Sequence, residues 1–115
     1  IGLTSGTLVV TGPLTVEGPG AAQIALQGNG APILRADGFS GATLSVRGLA
    51  FQGGGAPGAG GGAVDLVAAS ATFAECLFAD NADSALLARS YGGRTLEVRA
   101  CRFERNSGLD GGAVN

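Results

Sequence analysis

The sequence predicts an all-β chain, a short parallel β-helix of about four coils with three short strands in each coil. Three observations predict it. An aromatic or leucine recurs at coil-like intervals: Leu26, Phe51, Phe78 and Phe103 are 25, 27 and 25 residues apart. Around each lie segments in which apolar residues alternate with polar or small ones, the period of a strand with one buried face. Gly supplies 22 of the 115 residues and interrupts every stretch in which a helical period could build.

Each element follows from this pattern. Ile1 to Val10 reads as a third-strand segment that flows into Leu14-Thr15-Val16. Ile24-Ala25-Leu26-Gln27-Gly28-Asn29 is the first copy of the aromatic segment, and Ile33-Leu34-Arg35-Ala36 is the strand after it. The same order returns as Thr43-Leu44-Ser45-Val46, then Leu49-Ala50-Phe51-Gln52-Gly53-Gly54, then Ala63-Val64-Asp65-Leu66. It returns again as Ser70-Ala71-Thr72-Phe73, Cys76-Leu77-Phe78-Ala79-Asp80-Asn81 and Ala85-Leu86-Leu87-Ala88. The last copy is Thr95-Leu96-Glu97-Val98, Cys101-Arg102-Phe103-Glu104-Arg105-Asn106 and Gly112-Ala113-Val114.

Strands this short, with turn spacing this irregular, do not close hairpins within one repeat; stacking repeat on repeat buries the same column in every coil. A small antiparallel sandwich is the alternative topology. The inward columns predicted are Leu44, Ala71, Leu96; Val46, Phe73, Val98; Ile24, Leu49, Cys76, Cys101; and Leu26, Phe51, Phe78, Phe103. Asn29, Asn81 and Asn106 form a turn column, with Gly54 in the second coil. Asn in such a corner adopts the left-handed conformation or bonds neighbouring backbone, so a structural role is expected for these three. The Gly-rich stretch 53–62 contains Pro57, lacks a G-K-[ST] ending, and reads as a flexible insertion between strands.

Composition narrows the function. The 115 residues suit one domain, residues 1–115, whether it stands alone or belongs to a longer chain. Collagen is excluded because Gly has no strict third-residue repeat, and a disordered tail because 45% of the chain is hydrophobic. No run approaches the ~18 apolar residues of a membrane helix, so no membrane insertion is expected. A net charge of -2 argues against nucleic acid as a partner. There is no His, which removes the usual general base and the commonest metal ligand. All seven basic residues are Arg, and the Ala, Gly and Arg bias fits a GC-rich, bacterial coding sequence.

Two further motifs alternate at coil spacing. Phe78-Ala79-Asp80-Asn81 and Phe103-Glu104-Arg105-Asn106 fit F-x-x-N; Gly61-Gly62-Ala63-Val64 and Gly111-Gly112-Ala113-Val114 fit G-G-A-[ILV]. This pair of motifs resembles the repeats of polymorphic outer-membrane proteins and related bacterial surface β-helices, over nearly the whole chain. The resemblance implies a right-handed parallel β-helix, extracellular or displayed at a cell surface, and used for adhesion or as a scaffold. Asp83-Ser84-Ala85-Leu86 departs from the second motif.

Candidate chemistry is sparse. Many β-helix proteins cut polysaccharides, and glycoside hydrolysis needs two carboxyl groups roughly 5–10 Å apart. The nine acids scatter over different faces in the alignment; Asp65 falls between Arg35 and Leu87 of neighbouring coils, and Asp80 and Asp83 fall in a turn. Calcium needs six to eight oxygens, more than that turn offers. Arg99, Arg102 and Arg105 near Glu97 and Glu104 read as exposed ion pairs on the last coil or as an end-face contact. The outward column Thr43, Ser70, Thr95 is either a short ice-binding type of hydroxyl ladder or a set of cross-strand pairs that stabilise the sheet.

No catalytic, cofactor-binding or metal-ligating set is expected. The expected function is that of a structural, non-enzymatic module: a surface scaffold, an adhesin segment or the subunit of an end-to-end filament. The alternative is a carbohydrate-active or carbohydrate-binding β-helix. Expected partners are a second copy stacked end to end, or the next coil of a longer solenoid, and beyond those a surface glycan or host protein. Leu8, Val10, Gly112, Ala113 and Val114 are the residues expected at the assembling ends. Cys76 and Cys101 have no C-x-x-C spacing. They are read as two buried free thiols, although an oxidising location favours a bond between them.

Overall fold

The computed structural model describes residues 8–20, 23–28, 31–38, 41, 43–55, 62–82, 85–89 and 95–106. These form twelve strands: β1 (Leu8–Val10), β2 (Pro13–Glu17), β3 (Ala25–Gln27), β4 (Leu34–Asp37), β5 (Thr43–Arg47), β6 (Ala50–Gln52), β7 (Val64–Val67), β8 (Ser70–Ala74), β9 (Leu77–Ala79), β10 (Leu86–Arg89), β11 (Leu96–Arg99) and β12 (Arg102–Glu104). They assemble into three four-stranded sheets, β1-β4-β7-β10, β2-β5-β8-β11 and β3-β6-β9-β12. Every third strand in sequence therefore lies on its predecessor, so each run of three strands is one coil and the fold is a short parallel β-helix of four coils. All pairings are parallel, which disposes of the antiparallel sandwich.

Alternation fixes which side chains enter the core. In Thr43–Arg47 exposed and buried residues alternate strictly, and Leu44 and Val46 are the buried pair. The register stacks Leu14, Leu44, Ala71 and Leu96 in one column and Val16, Val46, Phe73 and Val98 in the next. From β3, β6, β9 and β12 come Leu26, Phe51, Phe78 and Phe103 in register. The rings of Phe51 and Phe78 stack with centroids 5.1 Å apart and those of Phe78 and Phe103 at 4.9 Å. Phe73 meets both Phe51 and Phe78 edge-on, which joins two of the sheets through the core. The predicted column is thus present in full.

The corners between strands are also columns. Gly48, Glu75 and Ala100 each follow a strand of the second sheet, and all three have positive φ; Gly53, Asp80 and Arg105 do the same after the third sheet. A left-handed residue turns the chain sharply, and stacked coils must turn at the same angular position, so the conformation repeats even where the residue is not Gly.

The departure at coil four of the G-G-A-[ILV] pattern leaves the core intact: Leu86 pairs with Val64, and Ala85 and Leu86 are as buried as Ala63 and Val64. Asn29, Pro57, Asp83, Gly111, Gly112, Ala113 and Val114 lie outside the described residues. The reading of residues 56–61 as a flexible insertion, and of 112–114 as a strand at an assembling end, falls there as well. Among the described residues no helix is long and apolar enough to cross a membrane.

Candidate functional site

The polar side chains that bind coil to coil sit just past the third sheet. Phe78 and Phe103 place their rings inward, Asp80 and Arg105 turn left-handed, and Asn81 and Asn106 then fall at the same place on successive coils. Asn81 is 1% exposed. Its Nδ2 donates to the Phe51 carbonyl at 3.1 Å and to Asn106 Oδ1 at 2.8 Å, and its Oδ1 accepts from the Gly54 amide at 2.8 Å. Asn106 repeats the pattern one coil on: its Nδ2 donates to the Phe78 carbonyl at 2.8 Å, and its Oδ1 also accepts from the Asn81 amide at 3.2 Å. Each Asn therefore ties together backbone of the coil before it. Among the described residues the ladder ends at Gly54, where a Cβ would run into the Gly62 carbonyl and Ala63 backbone of the next strand's approach. Gly54 supplies the N–H that receives the ladder without carrying a side chain.

The broadest described outer face belongs to β2-β5-β8-β11. Its register sets Pro13, Thr43 and Ser70 in one outward column, with Thr95 next to Ser70, and Thr15, Ser45, Thr72 and Glu97 in another. The Thr95 amide donates to Ser70 Oγ at 3.2 Å, a cross-coil bond of the kind that steadies a sheet. Between the columns a depression of about 270 Å³ is lined by Thr43, Ser70, Ala71, Thr72, Thr95 and Glu97 among others. Thr43, Ser70 and Thr95 are the outward column expected from the sequence. Thr15, Ser45 and Thr72 share that face because each stands two residues after Pro13, Thr43 or Ser70 on its strand.

A third column on this face, Glu17, Arg47, Ala74 and Arg99, carries charge. Arg47 makes a two-pronged contact with the left-handed Glu75, at 3.2 and 3.3 Å, and its guanidinium is held protonated more firmly through that bond. Around Ala74 a second hollow, about 290 Å³, is bounded by Arg47, Glu75, Arg99 and Ala100. Arg99 pairs with Glu97 at 3.0 Å and Arg102 with Glu104 at 2.6 Å, as expected for exposed ion pairs on the last coil. Arg105 departs from that reading. It touches Glu104, but its main partner is Asp80 of the preceding coil, at 2.7 and 3.1 Å. Both residues are the left-handed corner residues of their coils, which stacks them directly. The Arg105 guanidinium holds the Asp80 carboxyl below the usual carboxylate range.

Asp65 stands between Arg35 and Leu87, as the alignment placed it, and is 4% exposed. Cys76 and Cys101 are both free thiols. Cys76 is buried, while Cys101 is only partly so, because its coil lacks a described neighbour on its far side; the expectation of two buried thiols holds for the first alone. Leu8 is 45% exposed on the first coil, whereas Val10 is buried. Among the described residues no group of His, Cys, Asp and Glu could hold a metal ion.

No protein-family model, no curated protein and no solved structure matches the chain. The F-x-x-N motif has a physical meaning here: a stacked ring, a left-handed corner and an amide hook.

Proposed function

We propose that this chain is a structural, non-enzymatic β-solenoid module of an extracellular or cell-surface protein, a rigid spacer whose coils display flat faces. The observation that carries the reading is the coupling of the second, third and fourth coils: the Phe51, Phe78, Phe103 ring stack inside and the Asn81–Asn106 amide ladder beside it. Acids on the described faces support it too, since Glu75, Asp80, Glu97 and Glu104 each engage an arginine. A further coil adds naturally against β1, β2 and β3, where Leu8 and Leu14 of the inward columns are exposed. In the assembled protein that coil belongs to the same parent chain or to a second copy.

The test combines two measurements. Incubation with a panel of acidic and neutral polysaccharides should release no new reducing ends or unsaturated products. Sedimentation velocity across a concentration series should show growth of elongated species, and growth that stops when Leu8 and Leu14 are replaced by Glu. Turnover of any polysaccharide would overturn the non-enzymatic reading, and an unchanging monomer would overturn assembly by stacking.

A second reading is favoured by one observation. The hydroxyl-lined depression between Thr43, Ser70, Thr72 and Thr95, with Glu97 at its edge, offers short polar groups that can hydrogen-bond a neutral sugar. A carbohydrate-binding role predicts that oligosaccharide titration shifts amide resonances of β8 and β11 and that Thr72→Val abolishes the shift.

A further inference from the structure

The fourth coil carries a covalent option that the third coil shares. Cys76 and Cys101 each stand one residue before a strand of the third sheet, and those strands start in register, Leu77 on Arg102. Their sulfurs also occupy equivalent places. Cys76 Sγ lies 3.3 Å from the Ala74 carbonyl and 3.7 Å from that of Val46; Cys101 Sγ lies 3.3 Å from the Arg99 carbonyl and 3.5 Å from that of Phe73. Ala74 pairs with Arg99 and Val46 with Phe73, so one sulfur is the other moved by a single coil. That sets the thiols one strand spacing apart, ~4.8 Å, with Cα atoms inside the window a disulfide tolerates. Cβ atoms one coil spacing apart lie slightly beyond the separation a disulfide needs, so closure requires a small approach of the fourth coil toward the third as well as side-chain rotation, and gives up the weak S–H···O contacts.

We propose that Cys76 and Cys101 form a redox lock, a reversible disulfide that clamps the fourth coil to the third. The two thiols take different parts. Cys101 is partly exposed and reachable by a small oxidant, whereas Cys76 is buried, and burial pushes its thiol up, which makes the closing attack by Cys76 the slower step. The Cys101 thiolate attacks one sulfur of a small dialkyl disulfide such as glutathione disulfide, the S–S bond of the oxidant breaks, and the first thiolate leaves and takes up a proton. The Cys76 thiolate then attacks Cys101 Sγ in the mixed disulfide, the second thiolate leaves, and it is protonated in turn. Two protein thiols are oxidised and one disulfide is reduced to two small thiols.

The clamp acts at one of the two thinly packed ends of the described solenoid. Leu96, Val98 and Phe103 of the fourth coil are only partly buried, while Ala71, Phe73 and Phe78 beneath them are buried. Opening of the fourth coil is therefore easier than opening of the third, and the bond spans the joint across which it opens.

The experiment treats the whole chain with glutathione disulfide, alkylates the remaining thiols, and digests at arginine. The expected product is a disulfide linking the peptide that contains Cys76 to Ala100-Cys101-Arg102, within one molecule, with a melting midpoint raised by about 10 °C over the reduced chain. Cys76→Ser should stop at a glutathione adduct on Cys101. Three results overturn the proposal: a wild-type chain that ends as a Cys101 adduct with Cys76 free, a bond between molecules instead of within one, or an internal bond that leaves the midpoint unchanged.

Discussion

Leu44 and Leu14 occupy the same inward column, one coil apart, with the same side chain and paired backbones. Leu44 is 4% exposed and Leu14 is 39% exposed. The inner aromatics show the same contrast, for Phe51 and Phe78 are buried while Leu26 and Phe103 at the ends of their column are partly so. Residue type does not separate Leu14 from Leu44 or Phe103 from Phe78. What differs is the number of coils stacked on them, two for β5 and β6 and one for β2 and β3 among the described residues. In a solenoid, burial is supplied by neighbours along the axis, so stability is a sum over coil junctions and declines toward the described ends.

Substitutions break this comparison most sharply where the rings stack. Phe78→Ala removes a ring held between Phe51 and Phe103 and touched edge-on by Phe73, and should cost roughly 3–5 kcal/mol through lost burial and a cavity. Phe103→Ala should cost about half of that, because only one face of its ring is covered by a described aromatic. Chemical denaturation of the two variants measures the ratio; equal costs would mean that the fourth coil is as well covered as the third.

The leucine pair sharpens the same point. Leu44→Ala should destabilise by roughly 2–5 kcal/mol and Leu14→Ala by about 1 kcal/mol or less, a gap readable as a difference in denaturation midpoints. The amide ladder comes next. Asn81→Ala strands the Gly54 N–H, the Phe51 carbonyl and one partner of Asn106, at about 2–3 kcal/mol. Asn106→Ala should cost about 1 kcal/mol, since its ladder contact lies nearer solvent. A ladder that only decorated the corner would give the same small cost at both positions.

The smallest effect is electrostatic. Asp80 is held ionised by Arg105, so its folded pKa lies below the unfolded value. The pair therefore adds stability at pH above the ordinary carboxylate range, and that contribution fades as pH falls through the lowered folded value. Both side chains are more than half exposed, so screening keeps the contribution small. Thermal melts of the wild type and Arg105→Ala should differ slightly at neutral pH and converge in acid; a difference that grows in acid would reverse the assigned sign.

Much of the fold was legible in the sequence because the solenoid repeats its constraints. Phe51, Phe78 and Phe103 recur at a fixed phase since each ring needs the previous one beneath it, and alternation in Thr43–Arg47 and Ser70–Ala74 declared which face was inward. The roles of Asn81 and Asn106 were legible as structural, although their specific partners were not, because carbonyls such as that of Phe51 carry no sequence signal. The Arg47–Glu75 and Arg105–Asp80 pairs were missed for a related reason. Their partners are 28 and 25 residues apart in the chain, and they meet only because Glu75 and Asp80 adopt left-handed corners that the residue types do not announce. The second hydroxyl column, Thr15, Ser45 and Thr72, could have been read from the i, i+2 spacing alone.

Native-state hydrogen exchange tests the central claim most directly, since it reads each coil junction separately. The slowest amides are expected in β5, β6, β8 and β9, which have a coil on both sides, with progressively faster exchange in β2, β3, β11 and β12. Uniform protection across all four coils, or protection that peaks in β2 or β12, would contradict a solenoid held together by its axial neighbours.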